Sequence, residues 1–177
     1  TKEVLDVETG EYRLPVKPTL KSIRAGRKGL RALAEYDDKG GKYAWVVLSK
    51  VLTYAASLVG EIADNINDID RAMKTGYAWK YGPFEQIDQL GTAWFAERLE
   101  AEGIEVPAII KAANGQPMYR DNGTVREQMT VSGDYAEVVF EEGAWRLQDK
   151  KRGQEPIASN ASASLWDVGD GVACLEF

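Results

Sequence analysis

The sequence predicts a mainly α-helical protein: a bundle of five to six helices, with short β-hairpin segments at the termini. Three observations carry that reading. Between residues 19 and 115 apolar side chains recur at helical spacing in successive blocks. Helix start and stop residues punctuate those blocks, as in Pro83 before FEQIDQL and Gly91 after it. Runs prone to form strands, bounded by turn residues, fall outside the block, in VLDVETGEYRL, SLWDV and VACLEF.

In chain order, VLDVETGEYRL reads as a hairpin turning at Glu8-Thr9-Gly10, because Gly10 tolerates the positive φ of a tight turn. Val16, Lys17 and Pro18 read as an extended connector. From Thr19 the pattern is helical, with Leu20, Ile23, Leu30, Leu33 and Ala34 as its apolar stripe and Gly26 and Gly29 weakening it. The basic residues of 17–31 are read as the solvated face of that helix. Asp37, Asp38, Gly40 and Gly41 form a turn. A central helix is expected over 42–63, and Ala55, Leu58, Val59, Ile62, Ile66, Ile69 and Met73 can share one apolar face.

Asn67 or Asp68 is placed to cap a helix over 69–75, closed by Gly76. Tyr77, Trp79 and Tyr81 then break the period before the 83–90 helix. Residues 92–102 form an amphipathic helix with Trp94, Phe95 and Leu99 inward and Gly103 as C-cap. Pro107 opens a short helix over 108–113, ending at Asn114-Gly115. Beyond it, Asn122-Gly123, Ser132-Gly133-Asp134 and Glu142-Gly143 separate strand-prone runs such as YAEVVF and AWRL. Residues 150–154 are a polar link, and Gly169-Asp170-Gly171 signals a final hairpin. The expected division is therefore a β-hairpin tail and linker over 1–18, a helical domain over 19–115 and a β-rich connector over 116–177. One echo, E-x-G-x-aromatic-R-L, occurs at 8–14 and again at 141–147, and suggests a duplicated unit of helical domain and hairpin tail.

Composition narrows the function. The 177 residues suggest one domain, 44% hydrophobic and 28% charged, with a net charge of −6. That charge argues against a nucleic-acid surface. No run reads as a membrane span, since 44–59, the most apolar stretch, contains Lys50, Ser49, Thr53 and Ser57. Cys174 is the only cysteine, which precludes an internal disulfide and a zinc cluster; no leader pattern opens the sequence, and a cytoplasmic location is expected. There is no histidine, which removes the commonest general base and most transition-metal sites. Neither GxGxxG nor GxxxxGK[ST] occurs, so no nucleotide loop is recognisable. The sequence starts on Thr1 and stops within an apolar run, from which a piece of a longer polypeptide is expected.

The candidate reactive groups have plainer readings. Glu61, Asp64, Asp68 and Asp70 form an acidic cluster, but Ile66 and Ile69 break the phase of a calcium loop, so solvated helix ends and N-caps are expected. Tyr77, Trp79, Tyr81 and Phe84 are read as core or interface packing rather than as a ligand-stacking surface. Ser57 and Lys50 lack any base or oxyanion site around them. Cys174 reads as a small buried hydrophobe. No catalytic, cofactor-binding or metal-binding residue is assigned.

One stretch is specific. IADNINDIDRAMKTGYAWKYGPFEQIDQLG closely resembles the C-terminal helical domain of the 3-hydroxyacyl-CoA dehydrogenases of fatty-acid β-oxidation. The resemblance rests on Glu61-Ile62-Ala63, Ile69-Asp70, Ala72-Met73, Gly76, Gly82-Pro83-Phe84-Glu85, Asp88 and Gly91. It implies an orthogonal bundle like the C-terminal domain of 6-phosphogluconate dehydrogenase. The final NASASLWDVGDGVACLEF is similar to the first β-hairpin of an enoyl-CoA hydratase (crotonase) domain. Together these imply a multifunctional fusion protein with a dehydrogenase, tandem helical domains and a hydratase.

The resemblance further implies NAD as cofactor of the parent protein and an L-3-hydroxyacyl-CoA as its substrate. The family's His–Glu pair and its Asn-Arg motif are absent; the corresponding helix start reads Gly41-Lys42-Tyr43-Ala44-Trp45. The fragment is accordingly expected to be inactive alone and to act as a helical scaffold. Its expected partners are the other helical copy and the nucleotide-binding domain of the parent chain, with self-association where that copy is missing. The competing reading is a stand-alone module that binds acyl-CoA or a protein. The GPFE corner at Gly82, Pro83, Phe84 and Glu85 is read as the lock of the domain, with Asp88 as a local hydrogen-bond acceptor.

Overall fold

The computed structural model describes residues 2–16 and 19–177; Lys17 and Pro18, part of the expected connector, lie outside the described residues. The chain forms two compact units, Thr1–Trp45 and Val46–Phe177, each taken by itself below.

The first unit opens with the expected hairpin. Strand β1 (Val4–Leu5) pairs antiparallel with β2 (Tyr12–Arg13), matching Val4 with Arg13 and Leu5 with Tyr12. Gly10 turns the chain at φ +74°, and the Asp6 carboxylate accepts the Glu8 and Thr9 amides and the Arg13 Nε–H. The single helix expected from Thr19 is instead two short ones, α1 (Lys21–Ala25) and α2 (Leu30–Ala34), joined by the 3-10 turn Gly26–Lys28. The break falls at Gly29, whose φ of +133° no helix accommodates, and Ile23 of the expected stripe is exposed. Asp38 then starts α3 (Lys39–Ser57): Oδ1 accepts the Gly40 and Gly41 amides at 2.9 Å each, and Oδ2 accepts the Ser22 amide at 3.0 Å. Gly40 and Gly41 thus form the first turn of the helix rather than a loop. At Gly41 a Cβ would overlap the Tyr36 carbonyl, so the close approach requires glycine there.

In the second unit α3 ends at Ser57, six residues before the expected limit. Gly60 adopts φ +85°, Val59 bridges Ala63, and Ile62 is 70% exposed rather than part of a continuous apolar face. Next come α4 (Ile66–Gly76), α5 (Pro83–Leu90), α6 (Thr92–Ala101) and α7 (Ala108–Ala113). Asn65, not Asn67 or Asp68, caps α4, accepting the Asp68 amide at 3.0 Å. The later boundaries are as expected: α5 starts on Pro83 and stops before Gly91, and α7 ends on Asn114 in the left-handed conformation. Phe95 and Leu99 of α6 are fully buried, while Trp94 is half-buried.

An antiparallel sheet follows, β3 (Tyr119–Asn122), β4 (Val125–Met129) and β5 (Tyr135–Glu137), in that order. Met118 and Met129 are as buried as Leu52, Ile66, Phe84, Ile87, Leu90, Phe95, Leu99, Ile109 and Ile110, so the sheet segment completes the helical core. The fold is therefore mixed: its strands are not confined to terminal hairpins. AWRL forms no strand, because Leu147 opens the short helix α8 (Leu147–Lys151), which also occupies the expected polar link. A last antiparallel sheet, β6 (Ala158–Ser159), β7 (Ser164–Gly169) and β8 (Val172–Glu176), contains the final hairpin, turned by Asp170 and Gly171 at positive φ. Cys174 in β8 is half-buried, short of the expected full burial. The two echo segments share a positive-φ glycine, Gly10 and Gly143, then diverge into a strand and a helix start. The echo carries no argument for duplication.

Candidate functional site

The most constrained polar cluster of the second unit is built around Asp70. Helix α4 buries Ile66, Asn67 and Asp70 on one face, and Asp70 is only 2% exposed. Opposite it, α5 starts from Gly82, which has no side chain to cap the free amides of its first turn. Asp70 supplies the missing acceptor from a neighbouring helix. Its Oδ1 accepts the Phe84 amide at 2.8 Å, and its Oδ2 accepts the Glu85 amide at 3.1 Å. Tyr119 of β3 donates its hydroxyl to the same Oδ2 at 3.1 Å. Three elements thus meet on one carboxylate.

Glu85 and Asp88 extend the cluster. Glu85 accepts the Gly82 amide at 3.0 Å, completing the backbone half of a capping box. It also accepts Lys74 Nζ–H at 2.9 Å and a 3.3 Å bond from Arg126, whose guanidinium stacks 4.1 Å from the Tyr119 ring centre. Asp88 accepts the Met118 amide at 2.6 Å and the Tyr119 amide at 3.0 Å, about thirty residues downstream, so it is a long-range rather than a local acceptor. Gln128 of β4 accepts the Asn67 amide at 3.0 Å, tying the sheet to the start of α4.

The electrostatics follow from burial. Burial raises the Asp70 carboxyl to about 6, although the Phe84 and Glu85 amides oppose the shift. Burial also raises Asp88, again against its amide bonds. Glu85 is held below the ordinary value: the Gly82 amide and Lys74 outweigh its burial. Burial and the neighbouring Asp70 charge push the Tyr119 phenol well up. A carboxyl near 6 has the acidity of a general acid or base. Here both Asp70 oxygens are occupied by protein donors and the group is shielded from solvent, so the arrangement suits locking rather than proton transfer.

The other sequence candidates fall elsewhere. Glu61, Asp64 and Asp68 are exposed, as expected of solvated helix ends, and only Asp70 of that cluster departs from the expectation. Phe84 plugs the core, but Tyr77 is 73% exposed, Tyr81 is exposed and Ala78 between them has φ +54°, so the aromatics do not act together. Ser57 donates its hydroxyl to the Tyr54 carbonyl at 2.8 Å, and Lys50 is exposed. Among the described residues no group of three or more Asp, Glu, Cys or His side chains is arranged to hold a metal. No helix among them is long and apolar enough to cross a membrane. The roles of Asp70, Tyr119, Arg126 and Gln128 were not foreseen. The one available signal was a helix opening on Gly-Pro, which lacks a cap of its own and must receive one.

Known proteins match this geometry's sequence span. A family profile described as 3-hydroxyacyl-CoA dehydrogenase, C-terminal domain, matches residues 43–138, which include the whole cluster. A probable 3-hydroxyacyl-CoA dehydrogenase of Bacillus subtilis (strain 168) is 38% identical over 174 residues, covering 96% of this chain and 22% of that protein. Putative fatty acid oxidation complex trifunctional enzymes of Rickettsia felis and Rickettsia prowazekii are 38% and 36% identical over 86 residues, covering 49% of this chain and 11% of each relative. The chain thus spans less than a quarter of the length of the curated relatives it matches. No solved structure matches significantly.

Proposed function

The chain belongs to the 3-hydroxyacyl-CoA dehydrogenase C-terminal domain family, and from that membership we propose that it is the non-catalytic helical scaffold of a longer β-oxidation enzyme. That enzyme oxidises L-3-hydroxyacyl-CoA with NAD. The observation that carries the scaffold role is the full engagement of Asp70 by the Phe84, Glu85 and Tyr119 donors, which leaves its perturbed carboxyl with a packing task. NAD belongs to a nucleotide-binding domain of the parent protein. No step of hydride transfer is assigned to this chain.

Residues 19–115 form the helical domain in this reading, extended by the β3–β5 sheet that completes its core, and 158–176 open a hydratase domain. The exposed Val46, Val47 and Tyr54 of α3 support a packing surface for the other helical copy. A cytoplasmic enzyme accords with this reading.

The test measures NADH formation from L-3-hydroxybutyryl-CoA by the longer protein that contains this chain. The longer protein is expected to turn over and the chain alone to be silent, with Asp70→Asn in the longer protein lowering Tm but not kcat per folded molecule. A collapsed kcat at unchanged Tm would overturn the scaffold role. Saturable micromolar binding of acetoacetyl-CoA by the chain alone, tighter than that of CoA, would replace it with an acyl-CoA-binding module.

A further inference from the structure

Arg120, Arg126 and Arg152 line a single open cavity of about 260 Å³ together with Tyr119 and Asp121. The three arginines come from β3, from β4 and from the residue that ends α8. Asp121 is the one carboxylate in the lining, while Glu85, Glu127 and Asp149 pair with the same arginines from beside it.

Each guanidinium is held in place. Arg126 stacks 4.1 Å from the Tyr119 ring centre, and Arg120 stacks 3.7 Å from that of Tyr135. Arg152, 13% exposed, pairs through Nε with Asp121 at 2.7 Å and through Nη1 with Asp149 at 3.0 Å. Stacking occupies the face of a guanidinium and leaves its N–H edge for in-plane acceptors. Arg126 gives Glu85 one long bond of 3.3 Å, and Arg120 bonds Glu127 through Nε. Each arginine carries five N–H donors, so the partners seen here use only part of the set. Fixed guanidiniums with donors to spare match the several acceptor oxygens and double charge of a phosphate group.

We propose that this cavity binds a phosphate dianion, free or carried as a monoester. The competing account is an ion-pair network that only ties α8 to the β3–β4 hairpin. Asp121 separates the two. In a phosphate site it is the repulsive member of the lining, whereas in a network it is a needed partner of Arg152.

The experiment titrates the 177-residue chain at low salt with inorganic phosphate, 3′-AMP and adenosine, read by calorimetry and by the arginine Nε–H resonances. Phosphate and 3′-AMP are expected to bind saturably and adenosine not at all. Tighter binding of 3′-AMP identifies a monoester as the ligand, and equal binding identifies free phosphate. Arg152→Gln and Arg120→Gln should each weaken binding about tenfold, the effect of one lost charge-assisted contact. Asp121→Asn should strengthen it. Absence of saturable phosphate binding, insensitivity to both arginine variants, or weakening by Asp121→Asn would overturn the proposal. None of these outcomes bears on the scaffold role, which is read from NADH formation in the longer protein.

Discussion

Asp70 and Gly82 approach so closely that a Cβ on the glycine would overlap the Asp70 carboxyl carbon. The absent side chain serves two ends at once: it leaves α5 without a cap and makes room for the cap that α4 delivers. A Gly82→Ala substitution should therefore expel Asp70 and leave the Phe84 and Glu85 amides unpaired. The expected destabilisation is about 3 kcal/mol, from overpacking and lost buried hydrogen bonds. Urea unfolding of the chain measures it, and a neutral result would refute the obligatory close approach.

Stability should fall as pH rises toward neutrality through Asp70. Its carboxyl is raised from 3.8 to about 6 in the folded chain, so the native state holds the proton more tightly than the unfolded state does. The contribution is fully present below 3.8 and is lost as pH rises through about 6. The difference is of order 3 kcal/mol. Asp70→Asn should flatten the stability profile between about pH 4 and 6.5, whatever its effect on absolute stability.

Asp38 has the opposite sign. The Ser22, Gly41 and Gly40 amides overcome its desolvation and hold it at about 2. Its contribution is present above 3.8 and is lost as pH falls toward 2. Acid should thus loosen the start of α3, seen as faster exchange of the Gly40 and Gly41 amides. Asp38→Ala should show that fast exchange already at neutral pH.

Asp88 holds the entry to β3 through two backbone amides. Removing its carboxylate in Asp88→Ala leaves the Met118 and Tyr119 donors without partners, at an expected cost of about 2–4 kcal/mol. Hydrogen exchange should then rise first at Met118 and Tyr119. Unchanged protection at those two amides would contradict the assignment.

The exposed apolar positions of α3 predict self-association of the isolated chain at high concentration. Sedimentation should show dimers or larger species that Val47→Glu disperses. A strictly monomeric chain would count against α3 as the packing surface.

Legibility followed the range of the forces involved. The Gly10 hairpin, the Pro83 and Pro107 starts, the Gly91 and Asn114 stops and the final Gly169–Gly171 turn were readable, because each depends on φ limits or a missing amide within a few residues. The split at Gly29 and the early end of α3 near Gly60 were missed. There an apolar period continued through glycines whose φ is positive. The cap of α4 was misplaced from Asn65 to its neighbours because several adjacent side chains are all able to cap.

Several element boundaries and, through the IADNINDIDRAMKTGYAWKYGPFEQIDQLG pattern, the family were readable in the sequence. Those depend on residue type and spacing. Folding is what buries Asp70 rather than leaving it solvated, carries Asp88 to Met118 and Tyr119, and closes the helical core with the β3–β5 sheet. The pairings run from Asp70 to Phe84 and on to Tyr119, fourteen to forty-nine residues along the chain. A carboxylate's burial and proton affinity are set by whichever groups folding brings beside it. The GPFE corner takes its helix cap from Asp70, a side chain on another helix.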